Sequence, residues 1–306
     1  MISDRDLGFD DLELVLDAHA RTGESPTWSQ HEHVLYWIDI EEPALHRFDP
    51  KSGEDLSWEM PSQIGAFTLC KSGRVIAALR TGLVRLALDA GALEPLALPP
   101  YNPLTHRFNE GKCDARGRFW VATMHDPLRS PAEETKTPAR PIHVFTETEG
   151  LRERPATAII GNGIAWGPAN DVMLFADTAA QEIQQFDFDL QTGSISGPRA
   201  FASFRDEQGR PDGAAVDSEG FYWSALYGGG RIVRLTPDGK IEREIRLPVS
   251  QPTMCAFGDA DFGALYITTA ARGLAPGSEP HAGGVFRCRP GVTGSPPFLF
   301  ADESRP

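Results

Sequence analysis

The sequence predicts an all-β fold: a six-bladed β-propeller with four-stranded antiparallel blades, forming a single domain over residues 1–306. Three observations carry that prediction. Short runs rich in aromatic and β-branched residues stand where long amphipathic helical patterns are missing. Gly, Asp, Asn and Pro punctuate these runs, and the chain holds 30 Gly and 25 Pro, the turn chemistry of many short strands. One unit also recurs six times, at a spacing of roughly 40 to 55 residues, the length of a propeller blade. Such a unit cannot bury both faces alone, and radial packing supplies the missing core while leaving only short edges. A β-sandwich or a pair of barrels would leave the repetition unexplained.

Taken in order, DLELVLDA (11–18) reads as an outer strand ahead of the first blade. It is expected to close the ring against the last blade, with PPFLF (296–300) as a second contributor. The six units begin at PTWSQHEHVLYWIDI (26–40), FTLCKSGRVIAAL (67–79) and KCDARGRFWVATM (112–124). They continue at IAWGPANDVMLFADT (164–178), AAVDSEGFYWSAL (214–226) and CAFGDADFGALYITT (255–269). Each is a short apolar strand, a polar turn and a strongly apolar strand. A third strand that alternates and then turns at Gly usually follows, as in ALHRFDPKSG and RIVRLTPDG. Between the third and fourth units, HDPLRSPAEETKTPAR (125–140) reads as a loop over one face. Trp28, Trp37, Trp120, Trp166 and Trp223 recur at strand positions and read as blade packing.

Composition narrows the function classes. The chain is 41% hydrophobic and 24% charged, which is ordinary for a globular protein. Its formal net charge of −14 argues against a nucleic-acid partner. No apolar run is long enough to span a bilayer, and the acidic start does not resemble a secretory signal. Cys70, Cys113, Cys255 and Cys288 form no CxxC pair and read as buried thiols. The expected location is cytoplasmic. Oligomeric state is open, since no interface stripe separates from the core strands.

Aligning the units on their first strands exposes one equivalent position. It holds Glu24, Gly65, Asn109, Asn162, Asp212 and Thr253. Innermost strands of a propeller converge on its axis, so Glu24, Asn109, Asn162 and Asp212 would meet near one end of the channel. Two carboxylates with one or two amide oxygens form a hard site suited to Ca²⁺, Mg²⁺ or Mn²⁺, and Zn²⁺ is admissible. In GNG (161–163) the glycines would let the backbone carry Asn162 toward that axis.

These motifs resemble the SMP-30, gluconolactonase and regucalcin group. The resemblance rests on GESPTW (23–28), THRFNEGKCDARGRFWVATM (105–124), IGNGIAWGP (160–168), RPDGAAVDSEGFYW (210–223) and PTMCAFG (252–258), and it covers nearly the whole chain. It implies a six-bladed propeller with one catalytic divalent cation, held by Glu24, Asn162 and Asp212. It implies that Arg107 and Asn109 contact substrate, with Asn109 near enough to aid the cation, and it makes Glu110 a further substrate-side candidate; His106, beside Arg107, reads either as lining the pocket or as a packed or exposed turn histidine. Members of the group usually hydrolyse aldonolactones, and some act on other esters or organophosphates. One departure is visible, because the group commonly has Asp after RFN where this chain has Glu110.

The expected reaction is therefore metal-dependent hydrolysis of a sugar lactone. The cation would polarise the carbonyl, and water would be activated by Asp212, with a hydroxide on the cation as the competing source. No GxSxG elbow or HExxH pair offers another route. The alternatives are a metal-dependent esterase or phosphotriesterase acting through the same site, and a non-catalytic calcium-binding propeller.

Overall fold

The computed structural model describes residues 11–128 and 137–302. Residues 129–136 of the expected 125–140 insertion lie outside the described residues, as do residues 1–10 and 303–306 of the expected single domain. The described residues form six separate four-stranded sheets, the expected six-bladed propeller. No helix among them is long and apolar enough to cross a membrane.

Five blades are built from the inside outward in chain order. Their inner strands are Gly23–Ser29, Ile64–Leu69, His106–Cys113, Gly161–Trp166 and Arg210–Val216. The sixth blade takes Pro252–Gly258, Ala264–Thr269 and Val285–Cys288 from the end of the chain. Its outer strand, Glu13–Leu16, comes from the beginning. Glu13 lies opposite Arg287 and Leu14 opposite Phe286, and Arg287 Nη2 donates to Glu13 Oε2 at 2.6 Å. DLELVLDA thus closes the ring as expected.

PPFLF does not take part in that closure. Gly294 bridges Asp217 of the fifth blade, and Phe300 bridges Cys70 of the second. Asp302 then pairs with Arg74 at 3.0 Å. The segment crosses one mouth of the channel as a strap. Consecutive prolines lack the N–H donors that a ladder needs, which keeps this stretch out of the last sheet.

Burial follows position within a blade. The second strands VLYWID and VIAAL are wholly buried, so they read as continuous apolar runs. Outer strands such as ALEPLA are largely exposed. Aspartates at the first turns tie backbone to core. Asp114 accepts the Trp120 indole N–H at 2.8 Å, and Asp217 accepts that of Trp223 at 2.9 Å.

All six inner strands carry a register shift against their neighbours. It falls between Glu24 and Thr27, Ile64 and Ala66, Phe108 and Gly111, Asn162 and Ala165, Pro211 and Ala214, and Pro252 and Met254. Each is a bulge of one extra residue, a device that bends a strand and re-aims a side chain. The six bulges coincide with the six residues aligned from the sequence.

Candidate functional site

The bulges bring Glu24, Asn109, Asn162 and Asp212 into the buried interior at the same end of the inner strands. The second and sixth blades contribute differently. A Cβ at Gly65 would lie 2.0 Å from the Phe108 carbonyl oxygen, so close approach of the next blade excludes any side chain there. Thr253 donates to the Gly23 carbonyl at 2.6 Å and ties the last blade to the residue before Glu24.

A hydrogen-bond chain fixes the amides. Asp126 accepts from Arg107 Nε at 2.9 Å and from Arg80 Nη2 at 2.5 Å. Arg107 Nη1 donates to Asn109 Oδ1 at 2.8 Å, and Asn109 Nδ2 donates to Asn162 Oδ1 at 2.9 Å. Asn162 Nδ2 donates to Thr178 Oγ1 at 2.7 Å, and Thr178 donates to the Pro211 carbonyl at 2.7 Å. Donor chemistry settles both amide orientations. Thr178 spends its only proton on a carbonyl, so its oxygen must accept from Asn162. Arg107 is purely a donor, so Asn109 must turn its oxygen toward it. The chain ends at the residue before Asp212.

Glu110 was expected beside substrate. It is instead buried, and its two oxygens accept the N–H groups of Gly163 at 2.5 Å and Ile164 at 2.7 Å. It anchors the GNG turn. Gly163 has φ of 60°, and a Cβ there would meet the Tyr222 hydroxyl at 2.2 Å; that hydroxyl donates to the Gly163 carbonyl at 2.7 Å. Asn109, expected to contact substrate and aid the cation, has its oxygen on Arg107 and its amide nitrogen on Asn162. Its contacts position Asn162. His106 contacts Thr105 and the Tyr101 and His125 rings rather than the axial residues. Burial, followed by Arg140, His125 and Arg80, lowers its pKa to about 4, so the imidazole is neutral at pH 7.

The axial carboxylates are electrostatically unsettled. Burial pushes Glu24 up to about 8; the Ser25 N–H opposes this and Glu110 adds to it. Burial also raises Asp212 well above the carboxylate range, with Glu24 and Glu110 adding repulsion and Arg107 opposing. Glu110 rises to about 7 through burial, against Lys112 and its two N–H partners. No ion pair joins Glu24 or Asp212 to a basic side chain among the described residues. No group of three His, Cys, Asp or Glu side chains suited to a metal occurs among them either. The donor set is two buried carboxylates that repel each other and an oriented amide oxygen. Those residues fit one hard divalent cation, whose charge would relieve the repulsion.

Thr178, Asp126 and Tyr222 escaped sequence reasoning. Thr178 follows a strand-ending Asp in LFADT and looks like a turn residue. Its role arises only because the fourth and fifth blades are adjacent. Thr178→Val removes the hydroxyl and strands the Asn162 amide. With Asn162 as a cation ligand, the expected result is a folded protein whose divalent-cation affinity falls about 10- to 100-fold, the usual cost of removing a ligand's hydrogen-bond partner. Calorimetric titration of chelator-treated protein measures it, and unchanged affinity would remove Thr178 from the site.

The family model described as the SMP-30/Gluconolactonase/LRE-like region matches residues 22–271. The chain is 37% identical over 295 residues to 6-deoxy-6-sulfogluconolactonase of Pseudomonas putida, covering 95% of this chain and 98% of the relative. It is 33% identical to regucalcin of Oryctolagus cuniculus with the same two coverages. Among solved structures it resembles a calcium-binding regucalcin from Agrobacterium tumefaciens. That match has a TM-score of 0.88, 24% identity, and coverage of 97% of this chain and 99% of the other; at this identity it speaks to fold alone.

Proposed function

Because the chain belongs to the SMP-30/gluconolactonase/LRE-like family, we propose that it hydrolyses a sugar lactone to the aldonic acid, with one divalent cation held by Glu24, Asn162 and Asp212. The observation that carries this reading is the pair of buried carboxylates lacking a basic ion-pair partner among the described residues, beside an amide whose oxygen and nitrogen are each fixed by a hydrogen bond. The name of the Pseudomonas putida relative supports aldonolactones as the substrate class.

When bound, the cation supplies polarisation of the carbonyl and stabilises charge developing on its oxygen. The residues supply the rest. Asp212 takes a proton from the attacking water as its oxygen bonds to the carbonyl carbon. When the ring C–O bond breaks, that proton goes to the departing ring oxygen. Arg107 is held by Asp126, Asn109 and the Phe108 carbonyl, which occupy Nε and Nη1. Its Nη2 is left to donate to a sugar hydroxyl, and the fixed guanidinium plane orients the ring.

The test strips the protein with chelator and follows proton release against five- and six-carbon aldonolactones, one of them 6-sulfonated. Mn²⁺, Mg²⁺, Ca²⁺ or Zn²⁺ is returned singly, with no-enzyme controls for spontaneous opening. Hydrolysis is expected only after cation return, and Asn162→Ala is expected to abolish it. A folded, cation-binding protein that leaves the whole panel at background would overturn the lactonase reading. Esters and phosphotriesters would then separate a different hydrolase from a calcium-binding propeller.

A further inference from the structure

The inner strands of a propeller all run the same way along the axis, so their ends opposite the carboxylates surround the other mouth of the channel. A cavity of about 210 Å³ lies there. Trp28, Phe67, Trp166 and Phe257 wall it, and residues 295–298 of the strap cross it. Two charged side chains line it, Lys112 and Asp217. Asp217 is fully engaged: it accepts the Trp223 indole N–H, Arg234 Nε and the backbone N–H groups of Glu219 and Phe221. The ammonium of Lys112 has one hydrogen bond, to the Ala214 carbonyl, and no ion pair among the described residues. Burial lowers its pKa, and Glu110, Cys255 and Glu24 oppose that shift.

The indoles single out the same place. The chain has six tryptophans. The N–H groups of Trp37, Trp58, Trp120 and Trp223 donate to Asp55, the Leu88 carbonyl, Asp114 and Asp217. Trp28 and Trp166 are buried, and their N–H groups have no partner among the described residues. These are the two tryptophans that line the cavity. Buried donors without acceptors are costly and uncommon. Both N–H atoms are sealed away from open space, so these indoles face the cavity with their rings and sense what fills it. An apolar-walled cavity with one ammonium that lacks an ion-pair partner among the described residues calls for a ligand carrying negative charge.

We infer that this cavity is a second ligand site, separate from the axial carboxylates, which takes a small organic carboxylate with a compact apolar body. The carboxylate meets Lys112, and the body packs against Trp28, Trp166, Phe67 and Phe257.

The six indole N–H resonances of ¹⁵N-labelled full-length protein, with Mg²⁺ present, read this directly. The probe is benzoate, and its neutral near-isostere benzamide is the control. Trp28→Phe and Trp166→Phe each delete one resonance and assign it. Benzoate is expected to shift those two signals saturably, with Kd of about 1 mM or tighter, and to leave the other four in place. Benzamide, and benzoate with Lys112→Met, are each expected to bind about tenfold more weakly or worse. If Lys112→Met does not fold, the benzoate-to-benzamide ratio on the native chain decides alone. No saturable shift up to about 10 mM, movement of all six signals together, or equal binding of the two probes would overturn the site.

Discussion

Asp212→Asn is expected to lower kcat for lactone opening by about 10³-fold at saturating cation, within the range for losing a general base. Asparagine keeps the shape and one oxygen of the side chain but cannot accept the proton that attacking water must lose. The substitution also removes one of two axial charges, so weaker cation binding is a second expected effect, and rates must be compared at saturation. Stability should move the other way. Asp212 is buried near Glu24 and Glu110, and burial is the main reason its carboxyl resists ionisation. Cation-free Asp212→Asn should therefore melt higher than the cation-free native protein near pH 8. Opposite signs for activity and stability are what a strained functional group produces. A kcat within a few-fold of the native value at saturating cation would exclude Asp212 as the base.

Much of this was legible in the sequence because a propeller repeats its own constraints. The fully buried second strands announce themselves as apolar runs such as VLYWID, and the closing strand DLELVLDA carries the expected pattern. The equivalent residues were legible as well, since Glu24, Asn162 and Asp212 occupy one register. What the repeat could not reveal is what happens between blades. Gly65 looks like a missing ligand, yet its place is taken by the Phe108 carbonyl. Glu110 looks like a substrate contact, yet it crosses to the next blade and holds two backbone N–H groups. The glycines of GNG also differ. Only Gly163 needs the left-handed region, while a Cβ at Gly161 would strike Ala122 and Phe175. Thr178 acquires a role only through the fifth blade. Contacts between neighbouring sheets depend on distances that no single strand pattern encodes.

Chelator-treated protein is expected to lose stability as pH rises from about 4.5 to about 8, and to recover it when a divalent cation is supplied. The sign follows from proton counting. Glu24 is raised from its ordinary value of 4.5 to about 8, and Glu110 to about 7; Asp212 is raised as well. Between the unfolded and folded values, the folded protein holds protons that the unfolded chain has released. Stability then falls with each increment of pH. Below about 4.5 both states are protonated and the contribution is fully present; above about 8 it is lost. A cation reverses the balance by favouring the ionised carboxylates, and binding at 1,000 times Kd adds about 4 kcal/mol. Binding must also expel protons, more at about pH 6.5 than at about pH 9, where Glu24 and Glu110, raised to about 8 and about 7, are already mostly ionised. Melting temperature against pH, with and without cation, reads the first effect. Calorimetry in buffers of different ionisation enthalpy reads the second. Glu24→Gln should flatten the cation-free slope, because it removes one of the raised groups and part of the repulsion on Asp212. A cation-free melting temperature that holds level from about 4.5 to about 8, together with cation binding that releases no protons, would mean that Glu24 and Asp212 do not share the buried, unpaired environment on which the proposed centre depends.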